Sequence, residues 1–232
     1  MKLSVAIPCY EMRGRGAEML QYSLNILKEQ NISFFEVIVS DHSIDDNIEK
    51  VCIQESKNLD IKYMRYSKMR GSSSSNMNNA IKNCSGDIIK ILCQDDYLFG
   101  GNSIAKTIEA FDLNKKWFVS SYFHTYDRVN LIDFQFPRLS NNISLDNQIG
   151  THSCLTILNE DPLLFDEQLI WFMDSEYYYR LYKKFGEPQI LLDPTVVQLL
   201  WKGQVTNTLI NNNLVEKERR YIEKKRRNNE FS

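Results

Sequence analysis

Leu3-Ser4-Val5-Ala6-Ile7-Pro8-Cys9-Tyr10-Glu11 is an apolar run broken at a proline and closed by polar residues. It is too short for the core of a signal peptide, and it predicts a first buried strand. Leu20, Leu24 and Leu27, with Met19 beside them, then recur at helical spacing. Val37-Ile38-Val39 is a second strand closed by Ser40-Asp41-His42-Ser43, and Ile48, Val51 and Cys52 mark a second helix. Residues 61–66 give a third strand, 70–75 a flexible polar loop, 76–84 a helix and 88–92 a fourth strand. Strands alternating with helices predict an α/β fold whose central sheet is mostly parallel and flanked by helices.

Beyond Leu98 the pattern is less regular. A helix is expected over 103–111, a strand over 117–123, a helix over 174–185, short apolar runs at 189–192 and 196–200, and a charged helix over 214–227. Residues 128–149 show no period. With 232 residues, no internal repeat and no linker, a single domain over 1–232 is expected. Hydrophobic residues at 43% and charged residues at 25% exclude a disordered or fibrous chain. The 28 Lys+Arg and 30 Asp+Glu leave a net charge of -2, so no chain-wide field gathers nucleic acid or an anionic membrane. No stretch approaches the roughly 20 apolar residues of a membrane-spanning helix. Cys9, Cys52, Cys84, Cys93 and Cys154 are odd in number and never spaced as zinc ligands, which points to a reducing, cytoplasmic setting.

In such sheets ligands gather beyond the carboxyl ends of the strands, where the loops converge. Pro8, Tyr10 and Glu11 follow strand one and Asp41 and Ser43 follow strand two; they suit stacking on a base and accepting from a base or ribose, or ordinary turn bonds. Asp95 and Asp96 leave strand four, where hard oxygen ligands suit Mg²⁺ or Mn²⁺, or where one of them caps the next helix. Asp174, with Ser175 and Glu176, opens the second-half helix as a cap or as a general base. His152 suits a diphosphate or acceptor contact, or a structural place. Trp171 suits an acceptor platform or core packing. The basic residues over 217–227 are interrupted by Glu218 and Glu223, as on a solvated helix face or a peripheral membrane contact.

Four motifs in order, residues 5–11, 37–46, 71–80 and 85–96, resemble the nucleotide-sugar half of a family 2 glycosyltransferase with a GT-A-like, Rossmann-type fold. The segments at 165–167 and 173–180 resemble the acceptor side of that family. The resemblance implies a nucleotide-sugar half over 1–100, an acceptor half over 101–210 and a charged C-terminal helix over 211–232. It implies an inverting transfer of a sugar from a UDP- or dTDP-type donor to a hydroxyl of a glycan or other acceptor, assisted by Mn²⁺ or Mg²⁺. Donor contacts then fall on Pro8, Tyr10, Glu11, Asp41, Gly71, Ser72, Asn76, Asn78, Gln94 and Asp95, and metal contacts on Asp95 and Asp96. The base falls on Asp174, with His152, Trp171 and Glu176 as acceptor-side candidates.

The departures are specific. Cys93 and Met173 stand where the family places the first acids of its metal and acceptor-side pairs, Ser40 and His42 replace an acid and a glycine, and residues 201–204 read Trp-Lys-Gly-Gln where a histidine or arginine is common. Two rivals follow: a non-catalytic nucleotide-sugar-binding module, and a nucleotidyltransferase, against which the lack of a Gly/Lys-rich triphosphate loop counts.

Overall fold

The computed structural model describes residues 1–228, 230 and 231, so Asn229 and Ser232 of the 211–232 segment lie outside the described residues. The first half is β1 (Leu3–Cys9), α1 (Gly16–Lys28), β2 (Phe35–Asp41), α2 (Asn47–Glu55), β3 (Ile61–Arg65), α3 (Ser73–Lys82) and β4 (Ile88–Ile91). These strands lie in the order β3-β2-β1-β4, all parallel. β1 and β2 are buried along nearly their whole length, as parallel strands covered on both faces must be. The ladder between β1 and β4 ends at Ala6↔Ile91, so Pro8, which has no N–H to give, lies beyond it.

The second half adds β5 (Tyr97–Leu98), α4 (Ser103–Ala110), β6 (Trp117–Thr125), β7 (Leu131–Gln135), β8 (Leu155–Leu158), α5 (Met173–Phe185), β9 (Gln189–Leu199), α6 (Val205–Thr208) and α7 (Asn212–Arg227). The sheet continues from β4 through β8, β6 and β9 to β5, with β7 on β6. Here β8 runs antiparallel to β4 and β6, β7 to β6 and β5 to β9, while β6 and β9 are parallel. The sheet is therefore mixed: the mostly parallel pattern holds for the first half and gives way in the second, where most pairings are antiparallel.

Three local expectations change. The flexible loop ends sooner than expected, because Ser72 Oγ accepts from the Ser75 N–H and starts α3 at Ser73. The two apolar runs after residue 188 are one strand, β9, whose register against β6 slips on either side of Ser121 as Pro194 passes. The stretch without period holds β7, turned back onto β6 by the Asp127 carboxylate, which accepts from the Val129 and Asn130 N–H groups.

The terminal helix α7 is two-faced. Lys217, Arg220, Lys224 and Arg227 face solvent, whereas Glu218, Ile222 and Lys225 are buried.

Lys90, on β4, is a buried amine with no hydrogen-bond partner among the described residues; its cross-strand neighbour Thr156 also keeps an unpartnered hydroxyl. Burial pulls the Lys90 ammonium down to about 8. Below that pH the charged form is present in both states and its desolvation cost is fully felt. As pH rises from about 8 toward the ordinary lysine value, the folded state sheds its proton first and stability climbs. Lys90→Met is expected to stabilise the protein by about 2–3 kcal/mol at pH 7, with the advantage shrinking by pH 10. Urea unfolding of both proteins at the two pH values checks this; an advantage that does not change with pH would remove the buried ammonium as its cause.

Candidate active site

The carboxyl ends of β1, β2 and β4 meet at one edge of the sheet. Tyr10 leaves β1 with an exposed ring, and its backbone N–H donates to Gln94 Oε1 at 2.9 Å. Gln94 Nε2 donates in turn to the Gly16 carbonyl at 2.7 Å, so this buried amide staples the β1 loop to the start of α1. The approach is close enough that a Cβ on Gly16 would lie 2.2 Å from the Tyr10 carbonyl oxygen. Glu11 is half-buried beside this staple, and its carbonyl accepts from Gly14 and Gly16.

Asp41 is fully buried. It accepts from the Ser43 N–H and the Tyr63 hydroxyl, both at 2.8 Å, and Arg65 Nε lies 3.7 Å away. Its oxygens are spent on holding the loop after β2. The amides of α3 are likewise spent. Asn76 donates to the Cys9 carbonyl at 2.9 Å and accepts from Ser40 Oγ, while Asn78 donates to the Phe165 carbonyl and Glu167 and accepts from the Phe165 N–H. Both are buried, so they fix the site's walls instead of facing its interior. Gly71, at φ +90°, is the turn residue ahead of α3, and Ser72 is the cap of that helix.

At the end of β4 the two acids part. Asp96 is buried and accepts from Ser153 Oγ at 2.6 Å, Thr151 Oγ1 at 3.3 Å and the Leu199 N–H at 3.2 Å. Burial and the Asp95 charge push its carboxyl up to about 8. Its environment is that of an anchor tying β4, the 151–153 turn and β9 together; it does not fit the metal role expected of it.

Asp95 is half-buried, and its Oδ2 accepts from the Trp201 indole N–H at 2.9 Å. Burial raises its carboxyl above the ordinary range, with the indole bond and the charges of His152 and Arg128 pulling the other way. A half-buried carboxylate whose burial is offset only in part by its neighbours fits a divalent cation. No group of three His, Cys, Asp or Glu residues among the described residues could hold an ion by itself, so the remaining ligands would be substrate phosphates and water.

The acceptor side reaches the same point. Asp174 lies one residue inside α5, with Phe172 at the cap position, so it is not the helix cap. Its Oδ1 is 2.7 Å from His152 Nδ1, and His152 Nε2 is 2.8 Å from Cys93 Sγ. Met173 is buried against α3, where its sulfur receives the Ser73 hydroxyl. Trp171 is 40% exposed beside this line. Glu176 is fully buried between Arg180 and Lys225, which removes it from the acceptor side.

Several participants were not assigned to the site from the sequence. Arg128, in the stretch without period, lies 4.4 Å over the Tyr22 ring and binds Glu18, yet its Nε and Nη2 are buried without hydrogen-bond partners among the described residues. Trp201 covers Asp95 and stacks under Arg15, helped by Gly203, where any Cβ would strike the indole at 2.1 Å. Glu218 of α7 accepts from the Ile170, Trp171 and Phe172 N–H groups at 2.8–3.0 Å and so fixes the approach to α5.

A family model described as "Glycosyl transferase family 2" matches residues 4–155, ending before Asp174. No curated protein matches the chain in sequence. Among solved structures, the S. aureus TarS fragment 1-349 in complex with UDP is 18% identical with a TM-score of 0.68, covering 87% of this chain and 61% of its own. The same fragment in complex with UDP-GlcNAc is 18% identical with a TM-score of 0.70, covering 91% and 62%. The mannosyltransferase PcManGT from Pyrobaculum calidifontis, in complex with GDP-Man and Mn²⁺, is 15% identical with a TM-score of 0.62, covering 86% and 57%. At these identities the likeness shows the fold, that of GT-A glycosyltransferases, and this chain spans about three fifths of the length of those TarS fragments.

Proposed function

The chain belongs to glycosyl transferase family 2, and on that premise we propose that it transfers a sugar from a nucleoside diphosphate donor to a hydroxyl of a glycan or other acceptor, with inversion. The observation that carries this reading is the continuous line Cys93–His152–Asp174, which joins the end of β4 to the start of α5 through contacts of 2.8 and 2.7 Å. Asp174 takes the proton of the acceptor hydroxyl as that oxygen attacks the anomeric carbon from the face opposite the leaving diphosphate. Asp95 is the residue that would hold Mn²⁺ or Mg²⁺, and the ion supplies charge neutralisation at the leaving group when bound.

Tyr10 and Glu11 face the nucleotide at the end of β1, the ring offering a stacking surface for the base. Pro8, Asp41, Gly71, Ser72, Asn76, Asn78 and Gln94 shape the walls that hold it. Uridine or thymidine forms are the donors favoured, in line with the UDP and UDP-GlcNAc complexes of the TarS fragment. Five free cysteines suit a cytoplasmic setting, and no helix among the described residues is long and apolar enough to cross a membrane.

A thermal-shift panel of nucleoside diphosphates and their sugars, with and without Mn²⁺, tests the reading, because a ligand bound only by the folded state raises Tm. Uridine or thymidine diphosphates are expected to stabilise more with the ion than without it. No shift with any nucleotide in any metal would sink the donor site. Cys93 and Met173 in place of acids favour one rival, a binding module without turnover, which would show the shift and no transfer.

The ion's ligand is separately testable. Asp95→Ala is expected to remove the metal-dependent part of nucleotide binding, a loss of at least about tenfold, whereas Cys93→Ser changes it by less than about threefold. Titration calorimetry on both decides it. Equal losses would mean that Cys93, too, holds the ion.

A further inference from the structure

We propose that His152 is the positioning residue for the base: it holds Asp174 Oδ1 and leaves Oδ2 as the oxygen open to the acceptor, with Cys93 anchoring the other side of the ring. The inference rests on the transferase reading above, since it assigns a task to Asp174 in that reaction.

The ring has little freedom. His152 sits in a 3-10 turn over His152–Cys154 that is tied to the end of β4: the Cys93 N–H donates to Ser153 Oγ at 2.9 Å, and Ser153 Oγ and Thr151 Oγ1 donate to Asp96. The Phe165 ring meets the imidazole edge-on at a centroid distance of 6.0 Å. Both ring nitrogens are occupied, by Asp174 at 2.7 Å and by Cys93 at 2.8 Å. Burial disfavours the charged ring, but the Asp174 and Cys93 neighbours outweigh it and raise His152 well above the usual imidazole range. The imidazolium therefore donates from both nitrogens, strongly to a carboxylate and weakly to sulfur.

A carboxylate in the first turn of a helix can rotate and offer either oxygen. Bound at Oδ1 by a ring that is itself pinned, Asp174 offers one oxygen in one orientation, the condition under which proximity lowers a barrier. This gives the departure at position 93 a physical meaning. A thiol is a weak partner that leaves Asp174 as the dominant acceptor of the ring. An acid at 93 would compete for the imidazolium and loosen its grip on Asp174.

The test is His152→Ala, His152→Asn and Cys93→Asp, read as kcat with the donor found in the nucleotide panel and as the Kd of UDP with Mn²⁺. His152→Ala and Cys93→Asp are expected to lower kcat about 10–100-fold with the UDP Kd within about twofold, while His152→Asn, whose amide can still donate to Asp174, retains most of the activity. An unchanged kcat in His152→Ala, or His152→Asn no better than Ala, overturns the proposal. A second readout needs no substrate: in protein labelled with ¹⁵N-histidine, the His152 Nδ1–H resonance should be protected from exchange and lose that protection in Asp174→Ala. Protection without any transfer by the wild type would overturn the transferase reading and, with it, the task assigned to His152; an unprotected ring overturns the pairing itself, whatever the turnover.

Discussion

Asp174→Asn is expected to lower turnover by about 10²–10⁴-fold and leave nucleotide affinity within about twofold. The substitution keeps the shape of the side chain and keeps an oxygen that can accept from His152 Nδ1, so the arrangement at 2.7 Å can persist. What it removes is basicity. A helix-cap explanation is closed by the structure, because Phe172 occupies the cap position and the Asp174 carboxylate turns to the ring instead. The donor contacts proposed above fall on the other side of the line, at Asp95 and the end of β1, so calorimetry with UDP should not register the change. Steady-state rates on the Asn variant decide the matter: turnover within about threefold of wild type would remove Asp174 as base.

The first half of the fold was legible because covering a parallel sheet on both faces leaves an unmistakable trace: Val5, Ala6 and Ile7, then Val37, Ile38 and Val39, are successive apolar residues with no alternation, and all are fully buried. The walls of the site were not legible in the same way. Asn76 and Asn78 were assigned to the nucleotide by resemblance, but an amide's partners depend on what folding brings to it, here the Cys9 carbonyl and the backbone of Phe165. His152 looked isolated because its partners lie 59 and 22 residues away in sequence. Asp95 and Asp96 read as equivalent neighbours, yet adjacent residues leaving a strand point opposite ways, which sent one toward Trp201 and the other into the core. The alternating charges of α7 suited a solvated helix, and one of its faces is one; what periodicity missed is that Glu218 and Lys225 form the buried face together with Ile222.

That buried face carries the largest expected loss of stability. Lys225→Met should cost about 3–5 kcal/mol and lower Tm by roughly 6–20 °C. Lys225 Nζ reaches Asp166 Oδ2 at 2.7 Å and also binds Glu176, which is fully buried and held on its other side by Arg180 Nε at 2.9 Å. Methionine keeps an apolar stem of similar length but not the ammonium that lies over the Tyr221 and Phe231 rings, so most of the loss is electrostatic: two carboxylates remain with one cation fewer. If so, Glu176→Gln in the Lys225→Met background should recover part of the loss, because a neutral amide does not need the ammonium. Lys217→Met and Lys224→Met, on the exposed face, should stay within about 0.5 kcal/mol. The same pair of variants separates structure from chemistry at Glu176. Per folded molecule, Glu176→Gln should turn over within a few-fold of wild type, as a residue of the buried network would. A drop of about 10²-fold or more would instead mark Glu176 as the base and withdraw that role from Asp174.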